Sequence, residues 1–165
     1  MQRGKLRVLL VGRTRYRLPL DSSLRRKFDA LREVFELRVL GSAPEGAPTS
    51  DDTFHLVPFL KPRRLDGLAF HLGLPFRVAR EVTAMANTLG GLECLVFTGG
   101  IGEHSKEIRQ QVCDRLRWLG VAMDHAANDQ ASETISAENS EVEILIVPAS
   151  EETTIARYCS AKLSA

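Results

Sequence analysis

The sequence lacks the features that mark an exported or membrane-bound protein. No apolar run approaches the roughly 20 residues that a helix needs to span a bilayer. The first residues lead straight into a strand-like run, with no small-residue cleavage site of a signal peptide. Its three cysteines, Cys94, Cys113 and Cys159, are an odd number in apolar surroundings, which is typical of reduced core residues. We therefore expect a cytoplasmic protein that contacts no membrane.

Common catalytic motifs are absent as well. The sequence contains no Walker-type phosphate loop, no Gly-X-Ser-X-Gly motif and no internal repeat. His55, His71 and His125 lie far apart, with no spacing that suggests a metal site.

Charge is unevenly distributed along the chain, although the net charge is only +1. Residues 1–80 carry 16 Lys and Arg against 8 Asp and Glu, whereas residues 81–165 carry 6 against 13. A basic half can indicate a nucleic-acid interface. Here the basic residues are scattered over predicted loops and helix surfaces, so we expect no nucleic-acid partner.

Five apolar, strand-like runs recur along the 165 residues, enough chain for one domain with one core. Such runs are typical of strands covered on both faces, as in a parallel sheet. We predict an α/β fold, with a five-stranded parallel sheet in a three-layer, doubly wound arrangement. The Rossmann-like strand order 3-2-1-4-5 is preferred over the alternative 2-1-3-4-5. The predicted strands are Leu6–Val11, Glu36–Leu40, Thr53–Pro58, Leu92–Phe97 and Val142–Val147.

Helical periodicity lies between most of these runs. One helix is capped by Asp21, Ser22 or Ser23, a second begins at Ser105, and a third begins at Ser150. Gly73-Leu74-Pro75 predicts a break between helices over 63–72 and 76–89. Residues 41–50 and most of 124–140 are predicted to be loops, because they are polar or rich in Gly, Ser and Pro without a period.

The second half of the chain carries the most specific pattern. It includes Phe97–Ser105 (FTGGIGEHS), Trp118–Val121 and Val147–Glu152. On these residues, the segment from about residue 80 to the end resembles the C-terminal part of an acetate kinase. In that family the glycine-rich turn lies against the adenosine end of a nucleotide. The resemblance therefore implies a vestigial nucleotide or anion site at Gly99, Gly100, Gly102, Glu103, His104 and Ser105.

Two departures weaken what the resemblance implies. The family usually has Asn where this chain has His104, and Pro-Thr-Asn-Glu-Glu where it has residues 148–152. Glu151 matches the acidic residue near the family's magnesium, and is the candidate for a vestigial metal site. A single carboxylate holds Mg²⁺ poorly unless phosphates share the ion.

The first 80 residues resemble, in overall pattern, the N-terminal Rossmann domain of two-domain retaining glycosyltransferases (GT-B). The matching stretches are Arg7–Arg15, Ser23–Leu31 and Leu65–Arg77. Arg13 and Arg15 follow the first strand in a basic segment, and we expect them to attract an anion beside the glycine-rich turn.

Together the two resemblances predict a chimera, with 1–80 and 81–165 joined into one α/β domain over residues 1–165. The expected function is an engineered or recombined scaffold, not an enzyme, with no catalytic residues and no required cofactor. The first alternative is a module that binds nucleotide or phosphate weakly, ATP and Mg²⁺ included. The second is residual acetate kinase or glycosyltransferase activity. We also expect homodimerisation through apolar surface that each parent covers with another domain.

Overall fold

A five-stranded parallel sheet forms the centre of the molecule. The computed structural model describes residues 5–44, 46–58 and 67–148. The strand order is β3-β2-β1-β4-β5, and all four neighbouring pairs are parallel. This confirms the predicted fold class and the preferred strand order. The strands are β1 Leu6–Arg15, β2 Phe35–Ala43, β3 Phe54–Pro58, β4 Cys94–Thr98 and β5 Glu143–Val147.

Five helices connect the described strands. Asp21 caps the first of them, since its carboxylate accepts hydrogen bonds from the N–H groups of Ser23 and Leu24. A short 3-10 turn, Arg117–Leu119, follows the fourth and ends at Gly120, whose φ of 82° is left-handed. The helices are α1 Ser22–Val34, α2 Gly67–Leu89, α3 Ile101–His104, α4 Lys106–Arg115 and α5 His125–Asp129.

Strands β1 and β4 are neighbours at the middle of the sheet, as expected for a strand order with β1 beside β4. Their register runs from Val8 opposite Cys94 to Gly12 opposite Thr98. The last pair stands at the carboxyl edge of the sheet, where β4 leads into the glycine-rich turn. The sheet order thus places Gly12, the last residue of β1 that pairs with β4, directly beside the start of that turn.

Alternate residues of the central strands serve two cores, one on each face of the sheet. Leu9 and Leu95 pack with α2 and α4 on one face, where Val82 and Leu116 are fully buried. On the other face, buried residues from the strands pack with α1 and with Tyr16 and Phe54. Helices therefore cover both faces, which explains why the strands are apolar on both sides.

Several predicted boundaries are wrong. Strand β1 does not end at Gly12 but continues to Arg15, which pairs with Ser42 after an irregularity in register. Phe35, which is spaced like an inward residue of α1 after Phe28 and Leu31, is instead the first residue of β2, one residue before the predicted Glu36. In β1, strand pairing overrides the local stop signal at Gly12, because β2 is available to hydrogen-bond to the extended backbone.

Helix α2 is continuous where two helices were predicted. Pro75 lies inside it and lacks the N–H that an interior helical residue donates, a cost of about 3 kcal/mol in a free helix. The part of α2 that follows places Ala79, Val82 and Ala86 in the core beneath the sheet. Burial of that apolar face favours continuing the helix through the proline.

The segment 124–140, predicted to be mostly loop, contains α5 and a residue that pairs with the edge strand β5. Asp124 caps α5 by accepting from the N–H groups of Ala126 and Ala127. Thr134 forms an antiparallel bridge to Leu145 on β5, so this side of the sheet is covered. The helix predicted from Ser150 lies outside the described residues. Within the residues that are described, no helix is long and apolar enough to cross a membrane.

Candidate functional site

The glycine-rich turn between β4 and α4 is compact and left-handed at its start. Gly99 and Gly100 have φ angles of 59° and 51°, a region that side chains with a Cβ adopt only at a cost. Gly100 is exposed at the carboxyl edge of the sheet, whereas Gly99 is buried. The four-residue helix α3 follows at once, which the sequence pattern did not predict. The turn therefore presents bare backbone to solvent at one point, Gly100.

Most of the described hydrogen bonds of this turn stay inside it. The Glu103 carboxylate accepts from the N–H of Gly99. The N–H of Gly102 donates to the Gly99 carbonyl, and that of His104 to the Gly100 carbonyl, each at 3.1 Å. These three N–H groups already have partners, so they are not free to bind a phosphate.

The turn packs closely against β1 and β4 at the point where the pairing of these two strands ends. A Cβ atom at Gly102 would lie 3.2 Å from the Val11 carbonyl oxygen, and one at Gly12 only 2.3 Å from that of Thr98. Glycine is required at Gly12 because no side chain fits between the two strand ends. The position of the turn is thus set by backbone contacts with the strands.

Arg109 on α4 holds the other side of the turn. Only 1% of this arginine is exposed. Its Nη1 donates to the carbonyl oxygens of Gly102 at 3.0 Å and Glu103 at 2.8 Å. Its Nε donates to Asn128 Oδ1 at 2.7 Å, and its Nη2 to the Asn128 carbonyl at 3.1 Å. Burial lowers the pKa of Arg109 from its usual value.

Charged groups of both signs surround the turn. Glu103 lies within it, and the Glu107 carboxylate accepts from the Ser105 hydroxyl at 3.3 Å. The Ser105 hydroxyl in turn accepts from the Ile108 N–H and caps α4. The side chain of His104 is 79% exposed, with Nε2 3.8 Å from a Glu103 oxygen. The two carboxylates add negative charge beside the turn, opposite in sign to the buried Arg109.

The arginines predicted to assist the turn lie on β1, not in a loop. The ladder between β1 and β4 ends at Gly12 and Thr98, and β1 then continues beside β2. Arg13 belongs to this continuation, and Arg15 pairs with Ser42. Both arginines therefore lie at the carboxyl edge of the sheet, as the turn does, but on the part of β1 that runs beside β2 and not beside β4. An anion site between them and the turn remains a prediction.

Metal ligands are not brought together in the described part of the chain. Glu151, the candidate from the sequence, lies outside it. Among residues 5–44, 46–58 and 67–148 there is no group of three or more His, Cys, Asp or Glu side chains that could hold a metal ion.

Sequence reasoning missed Arg109 and Asn128. One signal was present, because Arg109 stands three and seven residues before the inward-facing Val112 and Leu116. A charged residue at an inward helical position indicates a buried polar network. Asn128 offered no such signal, since it lies in a segment without periodicity.

These features define the chain as a doubly wound α/β protein with a glycine-rich strand-to-helix turn at the carboxyl edge of its sheet. The sequence matches the model of the Acetokinase family over residues 70–157, more than half of the chain. The chain therefore belongs to the acetokinase family.

The individual proteins that this chain resembles include acetate kinases and a propionate kinase. The chain is 39% identical over 138 residues to the acetate kinase of Rhodopseudomonas palustris (strain TIE-1), a match that covers 82% of this chain and 34% of that protein. It is 41% identical over 88 residues to the acetate kinase of Methylocella silvestris, covering 53% of this chain and 22% of that protein. Among solved structures, a propionate kinase from Francisella tularensis is 35% identical over 58% of this chain and 24% of its own, with a TM-score of 0.46. The chain spans only about a third of the length of the first of these relatives.

Two expectations are corrected by these similarities. Residues 1–80 are nearly half of the chain, so an acetate kinase match over 82% of it must extend into them. The prediction of an inactive chimeric scaffold is therefore wrong, and nothing supports a glycosyltransferase origin for the first half. The prediction that the chain is not an enzyme is also contradicted, because its relatives are acetate kinases. The pattern of residues 1–80 is a strand, a glycine and a helix, which many doubly wound proteins share. It therefore did not identify a family.

Proposed function

We propose that this chain supplies part of the nucleotide-binding surface of an acetate kinase and so serves phosphoryl transfer between ATP and acetate. The observation that carries the proposal is the exposed, left-handed Gly100 at the carboxyl edge of the sheet, inside the family-matched segment. Ligands of doubly wound proteins bind at this edge, outside the carboxyl ends of the strands. Whole relatives carry the activity, and this segment contributes one wall of the site.

The uncharged end of the nucleotide suits this turn better than its phosphates do. The N–H groups of Gly99, Gly102 and His104 are occupied within the turn. Two carboxylates, those of Glu103 and Glu107, add negative charge. A flat, bare backbone can instead lie against a base or a ribose without a side chain intervening. We therefore assign the turn to the adenosine moiety.

Magnesium would enter this site with the phosphates of ATP. The described residues do not form a metal site of their own. Mg²⁺ usually keeps several water ligands and is held by one or two carboxylates together with substrate phosphates. Glu151 remains the residue of this chain proposed to contribute such a carboxylate.

The proposal is tested by calorimetric titration of the chain with ATP and, separately, with adenosine. One wall of a site holds a nucleotide weakly, so we expect a dissociation constant of roughly 1 mM, about −4 kcal/mol, for both ligands. Gly100→Val places a branched side chain on the exposed turn and should weaken both at least about tenfold, or 1.4 kcal/mol.

Gly90→Val is the matched control. Gly90 is also an exposed glycine with positive φ, 70°, and among the residues that the structure describes no atom lies within 4 Å of its Cβ position. It precedes β4 at the opposite edge of the sheet, so this variant carries similar backbone strain and should bind like the original chain. Tight ATP binding that survives Gly100→Val would show that the turn is not the site. Binding of ATP but not adenosine would reject the assignment to the adenosine moiety.

A further inference from the structure

We propose that Arg109 is a positioning residue for the glycine-rich turn, held in place by Asn128. The inference builds on the proposed function, since it explains how the surface for the nucleotide keeps its shape. It concerns a buried pair, of which Arg109 contacts the turn at Gly102 and Glu103.

Arg109 is unusual because its charged side chain is buried and no carboxylate of the described residues is hydrogen-bonded to it. Its four hydrogen bonds within the described structure all go to neutral oxygens, which belong to Gly102, Glu103 and Asn128. Taking a guanidinium out of water is costly unless its N–H groups are satisfied. An apolar side chain would fill the same space without that cost. The carbonyl groups it binds are therefore the reason that an arginine suits this position.

Those carbonyl groups belong to the last residues of the turn. Gly102 and Glu103 are in α3, and their carbonyl oxygens accept from the same nitrogen, Nη1. The side chain of Glu103 in turn accepts from the N–H of Gly99. A continuous path of hydrogen bonds thus runs from Arg109 through Glu103 to Gly99, the residue before the exposed Gly100.

Asn128 fixes the guanidinium itself. Its side-chain oxygen and its carbonyl oxygen accept from Nε and Nη2, and its Nδ2 donates to the Lys106 carbonyl at 3.1 Å. This asparagine is 2% exposed and is anchored on both α5 and the first turn of α4. The planar guanidinium can bond in several fixed directions at once, which a lysine ammonium on a flexible stem cannot reproduce.

The first experiment needs no ligand and measures amide hydrogen exchange. In Arg109→Met, the amides of Gly102 and His104 should exchange at least about tenfold faster than in the original chain, because the turn opens locally. Leu116→Ala, at the residue that caps the C-terminus of the same helix, is the matched control. Leu116 is fully buried but contributes to the apolar core, so its removal should lower overall stability without selectively exposing these two amides.

The second experiment measures adenosine affinity in a double-mutant cycle. Arg109→Met alone should weaken binding at least about fivefold, whereas in the Gly100→Val background it should have little further effect, since both changes act on one surface. Compared with Arg109→Met, Arg109→Lys should recover more of the lost stability than of the lost affinity for adenosine. If Arg109→Met does not fold, Asn128→Ala serves in both experiments, because it leaves the arginine but removes the Oδ1 acceptor.

The outcomes separate the two proposals. If the chain binds no adenosine but the exchange of Gly102 and His104 accelerates in Arg109→Met, the positioning role stands and the proposed function fails. If exchange at these amides follows global stability alone, as in Leu116→Ala, the positioning role is overturned. Equal losses of affinity in the Arg109→Met and Leu116→Ala variants would also overturn it, because they indicate a purely structural effect.

Discussion

Gly12 of β1 packs so closely against Thr98 of β4 that one added methyl group should strongly lower the stability of the fold. In Gly12→Ala, the new Cβ would lie 2.3 Å from the Thr98 carbonyl oxygen, in place of the 3.4–4 Å of ordinary contact. The obstacle is backbone, so it cannot rotate away. The two strand ends must separate by about 1 Å, which strains or breaks the ladder where Gly12 pairs with Thr98.

Two contributions make up the loss of unfolding free energy in Gly12→Ala. Overpacking in a close-packed region costs about 1–3 kcal/mol, and a lost backbone hydrogen bond about 1 kcal/mol. We therefore expect Gly12→Ala to lower the free energy of unfolding by about 3 kcal/mol. For a domain of this size that corresponds to a fall in Tm of about 6–12 °C, if unfolding is two-state. Thr98 also leads into the glycine-rich turn, so the displacement should weaken nucleotide binding as well.

Gly73→Ala provides the comparison, measured by the same urea and thermal unfolding curves. Gly73 lies inside α2, and no atom of the described part of the chain lies within 4 Å of its Cβ position. Alanine is favoured over glycine there by about 0.5–1 kcal/mol, so this variant should be slightly more stable than the original chain. If Gly12→Ala unfolds at the same urea concentration as the original chain, the strand ends are not held together as described and the reasoning is wrong.

Two further predictions concern titratable groups. Hydrogen bonds from the Arg7 backbone and side chain lower the pKa of Glu93 below the usual 4.5, so this carboxylate stabilises the fold above pH 4.5 and loses that contribution as the pH falls. Glu93→Gln should therefore flatten the acid side of a plot of Tm against pH, and an unchanged slope would contradict the assignment. Burial raises the pKa of Cys113 to about 12, so its thiol should resist iodoacetamide at pH 8 in the folded chain and react in urea. Peptide mass spectrometry distinguishes Cys113 from the other cysteines, and rapid labelling of the native chain would refute its burial.

Much of the fold follows from the sequence alone. The apolar runs at Leu6–Val11 and Leu92–Phe97 predict strands covered on both faces, and the structure places them side by side in parallel. Asp21 and Ser105 mark helix starts through a local rule, because a cap needs only the N–H groups two or three residues ahead. The glycine-rich turn is equally local, since Gly99 and Gly100 supply the left-handed backbone it requires.

Other features depended on which segments meet in three dimensions. Nothing near Pro75 indicates that α2 continues through it, because that depends on the core beneath the sheet. Arg109 and Asn128 are 19 residues apart and become partners only when α5 packs beside α4. Local periodicity records which face of an element is apolar, but the partner of a buried polar group is set by tertiary packing. The sequence therefore determined where the turn lies, and only the tertiary structure decided what holds it in shape.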